Sequence, residues 1–182
     1  MLNADDERKR ERQRWRREHV DRFLAEIGLD HDALAKSTKE QLDDWAREVK
    51  LVEDQPSSNF GDVVLHLCKA VESELASGLG RIEGLKSLAA EGTLGQKART
   101  LNGFRFEKAT NQRISSRGIK PGFVQSDLAR LLRKLADLRS DTGAAHGNVE
   151  LQSANEQDAE RARQLTGGIL RGIVPVSREK SK

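Results

Sequence analysis

Arg139 and His146 are the two residues of this chain whose types and spacing could do chemistry together. Arginine stays charged at physiological pH and grips phosphate oxygens with a planar guanidinium group. Histidine has an ordinary pKa near ~6.5, so it can take up or release a proton at neutral pH. An arginine that holds a phosphodiester and a histidine that moves a proton suffice to cleave RNA, because the 2′-hydroxyl supplies the nucleophile without a metal ion. DNA lacks this hydroxyl and should resist the same chemistry.

Arg139 and His146 lie seven positions apart, which is almost two turns of an α-helix. A helix from about Phe123 to His146 would place both side chains on one line, beside a buried seam. Gly143 lies on the same line and costs about 1 kcal/mol relative to alanine inside a helix, so it needs a steric reason. Close approach of a partner and a local kink would each supply one. The spacing predicts a seam made of Val124, Leu128, Leu131, Leu135 and Leu138.

The ten residues from 138 to 147, Leu-Arg-Ser-Asp-Thr-Gly-Ala-Ala-His-Gly, resemble the Arg-x4–6-His signature of the HEPN superfamily. The version with six intervening residues is similar to the abortive-infection C-terminal type. The family often has asparagine after the arginine, where this chain has Ser140. The resemblance extends over roughly residues 58–175 by helix order, but only the ten-residue motif is specific.

The resemblance implies a small all-α domain with metal-independent endoribonuclease activity and no cofactor. It implies Arg139 and His146 as catalytic residues in a site completed across a homodimer, with Ser140 and Asp141 in support. Asp141 ranks last, because it points roughly 160° around the helix from the line of the pair. Proteins of this kind act as toxins or in antiphage defence, so a defence-system or antitoxin partner is possible. Some members bind RNA without cutting it. A non-catalytic RNA-binding or protein-interaction module is therefore the alternative.

The composition favours an all-α protein, which we expect to be a HEPN-like helical bundle with an amino-terminal helical extension. The 182 residues are 36% hydrophobic and 34% charged, with three prolines and few aromatic residues. The apolar residues are mainly leucine, valine, isoleucine and alanine at helical spacing. The 32 basic and 29 acidic residues leave a formal charge of only +3, so contact with RNA must come from a local basic patch.

Neither a disulfide nor a membrane span is expected from the sequence. Cys68 is the single cysteine, and it lies two positions from His66, so the two cannot share a helix face and form no metal pair. We predict no metal site. The amino terminus lacks the apolar core of a signal peptide, and no apolar run reaches the ~18 residues that a bilayer requires. We therefore expect a cytoplasmic protein that does not contact membranes.

Residues 1–54 are predicted to form a charged amino-terminal helical appendage. A first helix over residues 4–27 carries an apolar stripe that includes Trp15 and Phe23, and a second opens with a capping box from Thr38 to Gln41. The arginine-rich part of the first helix could touch RNA phosphates or remain a solvated helix with internal ion pairs. Both interpretations stay open. Pro56 and its neighbouring serines mark the boundary.

Residues 57–176 are predicted to form the HEPN-like domain, followed by a disordered tail over residues 177–182. Thr93 is expected to cap a helix that runs to about Thr110, and Asn155 is expected to cap the last helix. The polar stretch 111–122 is typical of a loop. Three basic residues of this stretch are candidates for RNA binding, against the alternative of ordinary loop charge: Arg113, Arg117 and Lys120.

Overall fold

The computed structural model describes residues 4–55, 59–90, 92–142 and 154–175, and these residues form seven α-helices and no β-strand. The predicted all-α fold class is therefore confirmed. Three short 3-10 turns and one π-helical turn, Phe123–Asp127, lie between the longer elements. The helices are α1 (Ala4–Glu26), α2 (Lys36–Asp54), α3 (Gly61–Ser77), α4 (Leu94–Asn102), α5 (Lys108–Ser116), α6 (Leu128–Asp141) and α7 (Glu156–Ile173).

Helix α3 holds the fold together, since it packs against α2, α6 and α7. Its apolar residues recur every three or four positions, so one broad face is buried. Val64, Leu67, Val71 and Leu75 are all fully buried there, and each such side chain contributes roughly 1.5–3 kcal/mol. Helix α6, which carries Arg139, packs against both α4 and α7 and is thereby fixed to the same core.

Helices α1 and α2 contribute to the same hydrophobic core as the helices that follow them. The apolar stripe predicted on α1 is confirmed, because Phe23 is buried with its ring centroid 5.2 Å from that of Trp45 on α2. Gly167 allows α7 to pack closely against the end of α1, since a Cβ atom there would come within 2.8 Å of Ile27. The domain boundaries at residues 54–57 and 176–177 stay predictions.

The predicted capping box at Thr38 is wrong, because α2 begins with Ala35 as its cap residue. Thr38 lies within the first turns of the helix, and its hydroxyl group donates a 2.7 Å hydrogen bond to Oε2 of Glu74. The same carboxylate oxygen accepts the backbone N–H of Ala35 at 3.1 Å. The beginning of α2 is therefore capped by a buried side chain of α3 rather than by its own sequence.

The helix predicted from residue 94 to residue 110 is two helices. Thr93 caps α4 as expected, in a reciprocal capping box with Gln96, but the helix ends at Asn102. The stretch predicted as a loop, 111–122, instead contains most of α5. Only Thr110 and Ile114 are buried on α5, which is too sparse an apolar pattern to predict a helix.

The helix predicted from about Phe123 to His146 begins where expected, but as the π-helical turn Phe123–Asp127, which continues into α6; α6 ends at Asp141. At its end, the hydroxyl group of Thr142 donates to the carbonyl oxygen of Leu138 at 2.8 Å, a local bond that competes with helix continuation. The rest of the line predicted to join Arg139 to His146, including Gly143 and His146, lies outside the described residues.

Candidate functional site

Arg139 lies in the last turn of α6, where the seam of the helix meets α3. Leu132 and Leu135 are fully buried, and Leu138 is nearly so, which turns this side of α6 inward. The Arg139 side chain is 23% exposed, and its Nη1 donates a 3.2 Å hydrogen bond to Oε1 of Glu72 on α3. Its Nε is buried and has no acceptor among the described residues. The guanidinium group is therefore held on one side and keeps an unused donor.

Glu72 is a site residue that the sequence did not reveal. It lies 67 positions before Arg139 in the chain, so no local pattern connects the two. Burial raises the pKa of Glu72 above its ordinary value, and this effect outweighs the opposing attraction of Arg139 and the lysines Lys97 and Lys69. A carboxylate at this position orients Arg139, at the cost of its own desolvation.

Lys97 and Cys68 lie near this ion pair, and neither adds a reactive group. The Lys97 ammonium group donates to the carbonyl oxygens of Leu88 and Ala90, each at 2.7 Å, and so fastens α4 to the preceding 3-10 turn. Burial lowers the pKa of Lys97, while Glu72 partly restores it. Burial raises the pKa of the Cys68 thiol to about 12, so the thiol stays protonated and is a poor nucleophile.

A cavity of about 300 Å³ opens between the beginning of α4 and α6, and we call it the arginine cavity. Three arginines and one aspartate are its charged lining residues, so its wall is basic. Asp137 accepts a 3.1 Å hydrogen bond from Arg133, whereas Arg99 has no ion pair among the described residues. The chemistry of this wall suits an oxyanion such as a phosphate group. Its lining residues are Thr93, Leu94, Gly95, Arg99, Arg133, Ala136, Asp137, Arg139 and Ser140.

Only one of the two predicted supporting residues lies at the arginine cavity. Ser140 lines the arginine cavity beside Arg139, whereas Asp141 is exposed and does not line it. Gly95 of α4 lies against α6 at this point, where a Cβ atom would make an ordinary van der Waals contact with Ala136 at 3.7 Å. His146, the second predicted catalytic residue, lies outside the described residues.

The three predicted RNA-binding residues do not line the arginine cavity. Arg113 is on α5 rather than in a loop, and its Nη2 lies 2.8 Å from Oε2 of Glu83. Arg117 donates a 3.4 Å hydrogen bond to the carbonyl oxygen of Gly78. Lys120 is exposed. Two of the three basic groups therefore already have partners within the chain, and a role of all three in RNA binding stays a prediction.

Comparison of the chain with protein-family models, with curated proteins and with solved structures found no significant match. Across the described residues, no helix combines the length and the apolar character needed to cross a membrane. In the same part of the chain, no group of three or more histidine, cysteine, aspartate or glutamate residues is placed to hold a metal ion.

Proposed function

We propose that this protein is a metal-independent endoribonuclease whose site is built from Arg139 and His146. The observation that carries the proposal is the placement of Arg139. It is half-buried, oriented by Glu72, and exposed on one side to a cavity that also contains Arg99 and Arg133. Such an arrangement favours a phosphodiester over neutral ligands, because several positive charges line one small space.

The proposed reaction uses the 2′-hydroxyl of RNA as the nucleophile. His146 acts as general base and takes the hydroxyl proton, the 2′-oxygen attacks phosphorus, and the bond from phosphorus to the 5′-oxygen breaks. A proton returned to the leaving 5′-oxygen gives a 5′-hydroxyl end, and the other product ends in a 2′,3′-cyclic phosphate. Arg139 stabilises the negative charge that develops on the phosphoryl oxygens, an effect that is often worth several kcal/mol. We assign Ser140, which lines the cavity beside Arg139, the role of positioning the phosphate.

We further propose that two copies of the chain complete the site, so that each His146 works with arginines of a shared cleft. This part of the proposal rests on the family resemblance. The protein would then act as a toxin or within an antiphage defence system, with an antitoxin or defence partner that controls it. The molar mass in solution at the assay concentration tests the dimer directly.

Incubation of the purified protein with mixed RNAs in the presence of EDTA tests the activity. We expect cleavage that leaves 2′,3′-cyclic phosphate ends and that is lost in both Arg139→Ala and His146→Ala. Arg130→Ala is the matched control, since Arg130 lies on the same helix, pairs with Asp127 at 2.9 Å and does not line the cavity. RNA binding without cleavage would instead favour the non-catalytic module, and cleavage that survives both substitutions would refute the proposed site.

A further inference from the structure

The first half of α1 carries a dense cluster of positive charge at the surface of the molecule. Residues 8–14 contain five basic residues and a single acidic residue, Glu11, and we call them the basic segment. Every residue of the basic segment is exposed, and none of them lines the arginine cavity. The five basic residues are Arg8, Lys9, Arg10, Arg12 and Arg14.

The basic segment is continuous with a part of α1 that is fixed to the rest of the molecule. Trp15, the residue that follows it, packs against the hydrophobic core, and Phe23 is buried in that core. Arg16 pairs with Asp43 of α2 at 3.3 Å. Because α1 runs without a break from Ala4 to Glu26, the basic segment extends from this fixed part as a helix. It is roughly 10 Å long, at ~1.5 Å per residue.

The five cations of the basic segment form no ion pair among the described residues. Arginines four positions apart on a helix repel each other, and Arg8 with Arg12 and Arg10 with Arg14 are two such pairs. The segment therefore holds like charges side by side without pairing them to carboxylates of the chain. An external polyanion would remove this repulsion. Four α1 residues that do form ion pairs lie after the basic segment: Arg16, Arg17, Asp21 and Glu26.

The kind of polyanion is indicated by the absence of apolar residues from the basic segment. A helix that lies on a membrane needs an apolar face that enters the bilayer. A helix that docks into a groove of a protein likewise uses apolar anchors at helical spacing. A nucleic-acid backbone needs neither, because arginine and lysine bind its phosphates through charge and hydrogen bonds. The composition therefore favours a nucleic acid over a membrane or a protein partner.

The arginines of the basic segment lie in two rows on nearly opposite sides of the helix. Arg8 and Arg12 form one row, and Arg10 and Arg14 form the other, roughly 160° away around the axis. The planar guanidinium group of each can bind two phosphate oxygens at once. A single strand that follows either row would therefore meet two arginines.

We infer that the basic segment binds the phosphate backbone of RNA outside the proposed cleavage site. The choice of RNA rests on the proposed function, whereas the binding itself requires only the charges of the basic segment. Contacts of this kind do not read the base sequence. They add affinity for any strand that is long enough to reach the segment, and this affinity falls as the salt concentration rises.

Binding of a single-stranded RNA of mixed sequence, followed by fluorescence anisotropy at several salt concentrations, tests the inference. All proteins carry His146→Ala, so that the proposed catalysis does not consume the RNA. The test variant replaces the four arginines of the basic segment by glutamine, which has nearly the same helix propensity. Its helix content is checked by circular dichroism. The matched control replaces four exposed arginines of other helices and loops by glutamine: Arg105, Arg130, Arg161 and Arg171.

The test variant should bind RNA at least about tenfold more weakly than the control at low salt. The slope of the logarithm of its binding constant against the logarithm of the salt concentration should be smaller in magnitude by about 1.4, which corresponds to two phosphate contacts on a single strand. The control loses the same net charge but should bind nearly as its parent does. Lysine at the same four positions of the basic segment keeps the charge and should keep the slope.

Equal affinities and slopes in the test variant and the control would overturn the inference, because net charge alone would then explain the binding. A lysine variant as weak as the glutamine variant would also overturn it. So would binding to vesicles of phosphatidylcholine and phosphatidylserine that depends on the basic segment when RNA binding does not. Loss of RNA binding in the test variant supports the inference even if the wild type cuts no RNA, a result that would refute only the proposed function.

Discussion

The arginine cavity differs in the charge of its lining residues from a second cavity of about 500 Å³, which lies beside Trp45 among α1, α2, α3 and α7 and which we call the tryptophan cavity. The first has three arginines against one aspartate, and the second has three glutamates against one arginine. The two regions also differ in whether a buried hydrogen-bond donor has a partner. Arg139 has a carboxylate partner on a neighbouring helix, whereas the indole N–H of Trp45 has no partner among the described residues. RNA should therefore be attracted to the α4–α6 side of the molecule and repelled from the rim beside Trp45.

The largest effect on stability is expected from substitutions of Trp45. Two of them separate the contribution of the side chain's size from that of its hydrogen bonding. Trp45→Ala should lower the free energy of unfolding by roughly 3–5 kcal/mol, because it opens a large hole in the core. Trp45→Phe should cost much less, since the indole N–H gives up no hydrogen bond. Urea unfolding of both variants measures the difference. A phenylalanine variant as unstable as the alanine variant would contradict this expectation.

A smaller effect is expected when Arg139 loses its partner. Glu72→Ala should lower the free energy of unfolding by about 1–3 kcal/mol, because the half-buried guanidinium group is left without an acceptor. Glu72→Gln keeps an amide oxygen at that place and should retain much of the stability. RNA cleavage should fall in the same order, since Arg139 becomes less well oriented. Equal stability and cleavage in wild type and Glu72→Ala would mean that Arg139 is oriented by other groups.

The raised pKa of Glu72 predicts a pH dependence of stability. Its folded-state pKa lies above the ordinary value of 4.5 because burial dominates. The folded protein therefore binds this proton more tightly than the unfolded chain does. The stability that the proton contributes is fully present below pH 4.5 and is lost as the pH rises through the raised pKa.

Glu72→Gln isolates this contribution from those of the other carboxyl groups. The free energy of unfolding of the wild type, minus that of Glu72→Gln, should decrease as the pH rises from about 4 to about 7. Urea unfolding at four or five pH values is sufficient. A difference that increases with pH would show that the attraction of Arg139 outweighs burial.

The smallest effect is expected from Arg99, which is exposed and lines the arginine cavity. Arg99→Gln should weaken RNA binding a few-fold. It should also reduce the slope of the logarithm of the binding constant against the logarithm of the salt concentration, by the amount that corresponds to about one phosphate contact. Arg161→Gln is the control, because Arg161 is exposed on α7 and lines neither named cavity. Equal losses in the two variants would mean that binding reflects net charge alone.

The sequence predicted the parts of this fold that depend on neighbouring residues. The caps at Thr93 and Asn155 are confirmed, each with a reciprocal capping box, because a cap acts within a single helical turn. The apolar stripe on α1 and the buried residues of α3 follow from helical spacing in the same way.

The sequence could not predict features that join distant parts of the chain. Glu74 caps α2 from 39 positions away, so Thr38 looked like a cap when it is a hydrogen-bond donor inside the helix. Glu72 was missed because its partner Arg139 lies on another helix. Helix α5 was missed because few of its residues are buried. The pairing of Arg139 with His146 stays a prediction.

The comparison of one RNA with its all-2′-deoxy counterpart, in EDTA, tests the central claim most directly. We predict that the wild-type protein cuts the RNA to 2′,3′-cyclic phosphate ends and leaves the deoxy strand intact, because the nucleophile belongs to the substrate. Both strands should compete for binding, since the arginine cavity recognises phosphate. Equal cleavage of the two strands, or a dependence of RNA cleavage on added Mg²⁺, would contradict it.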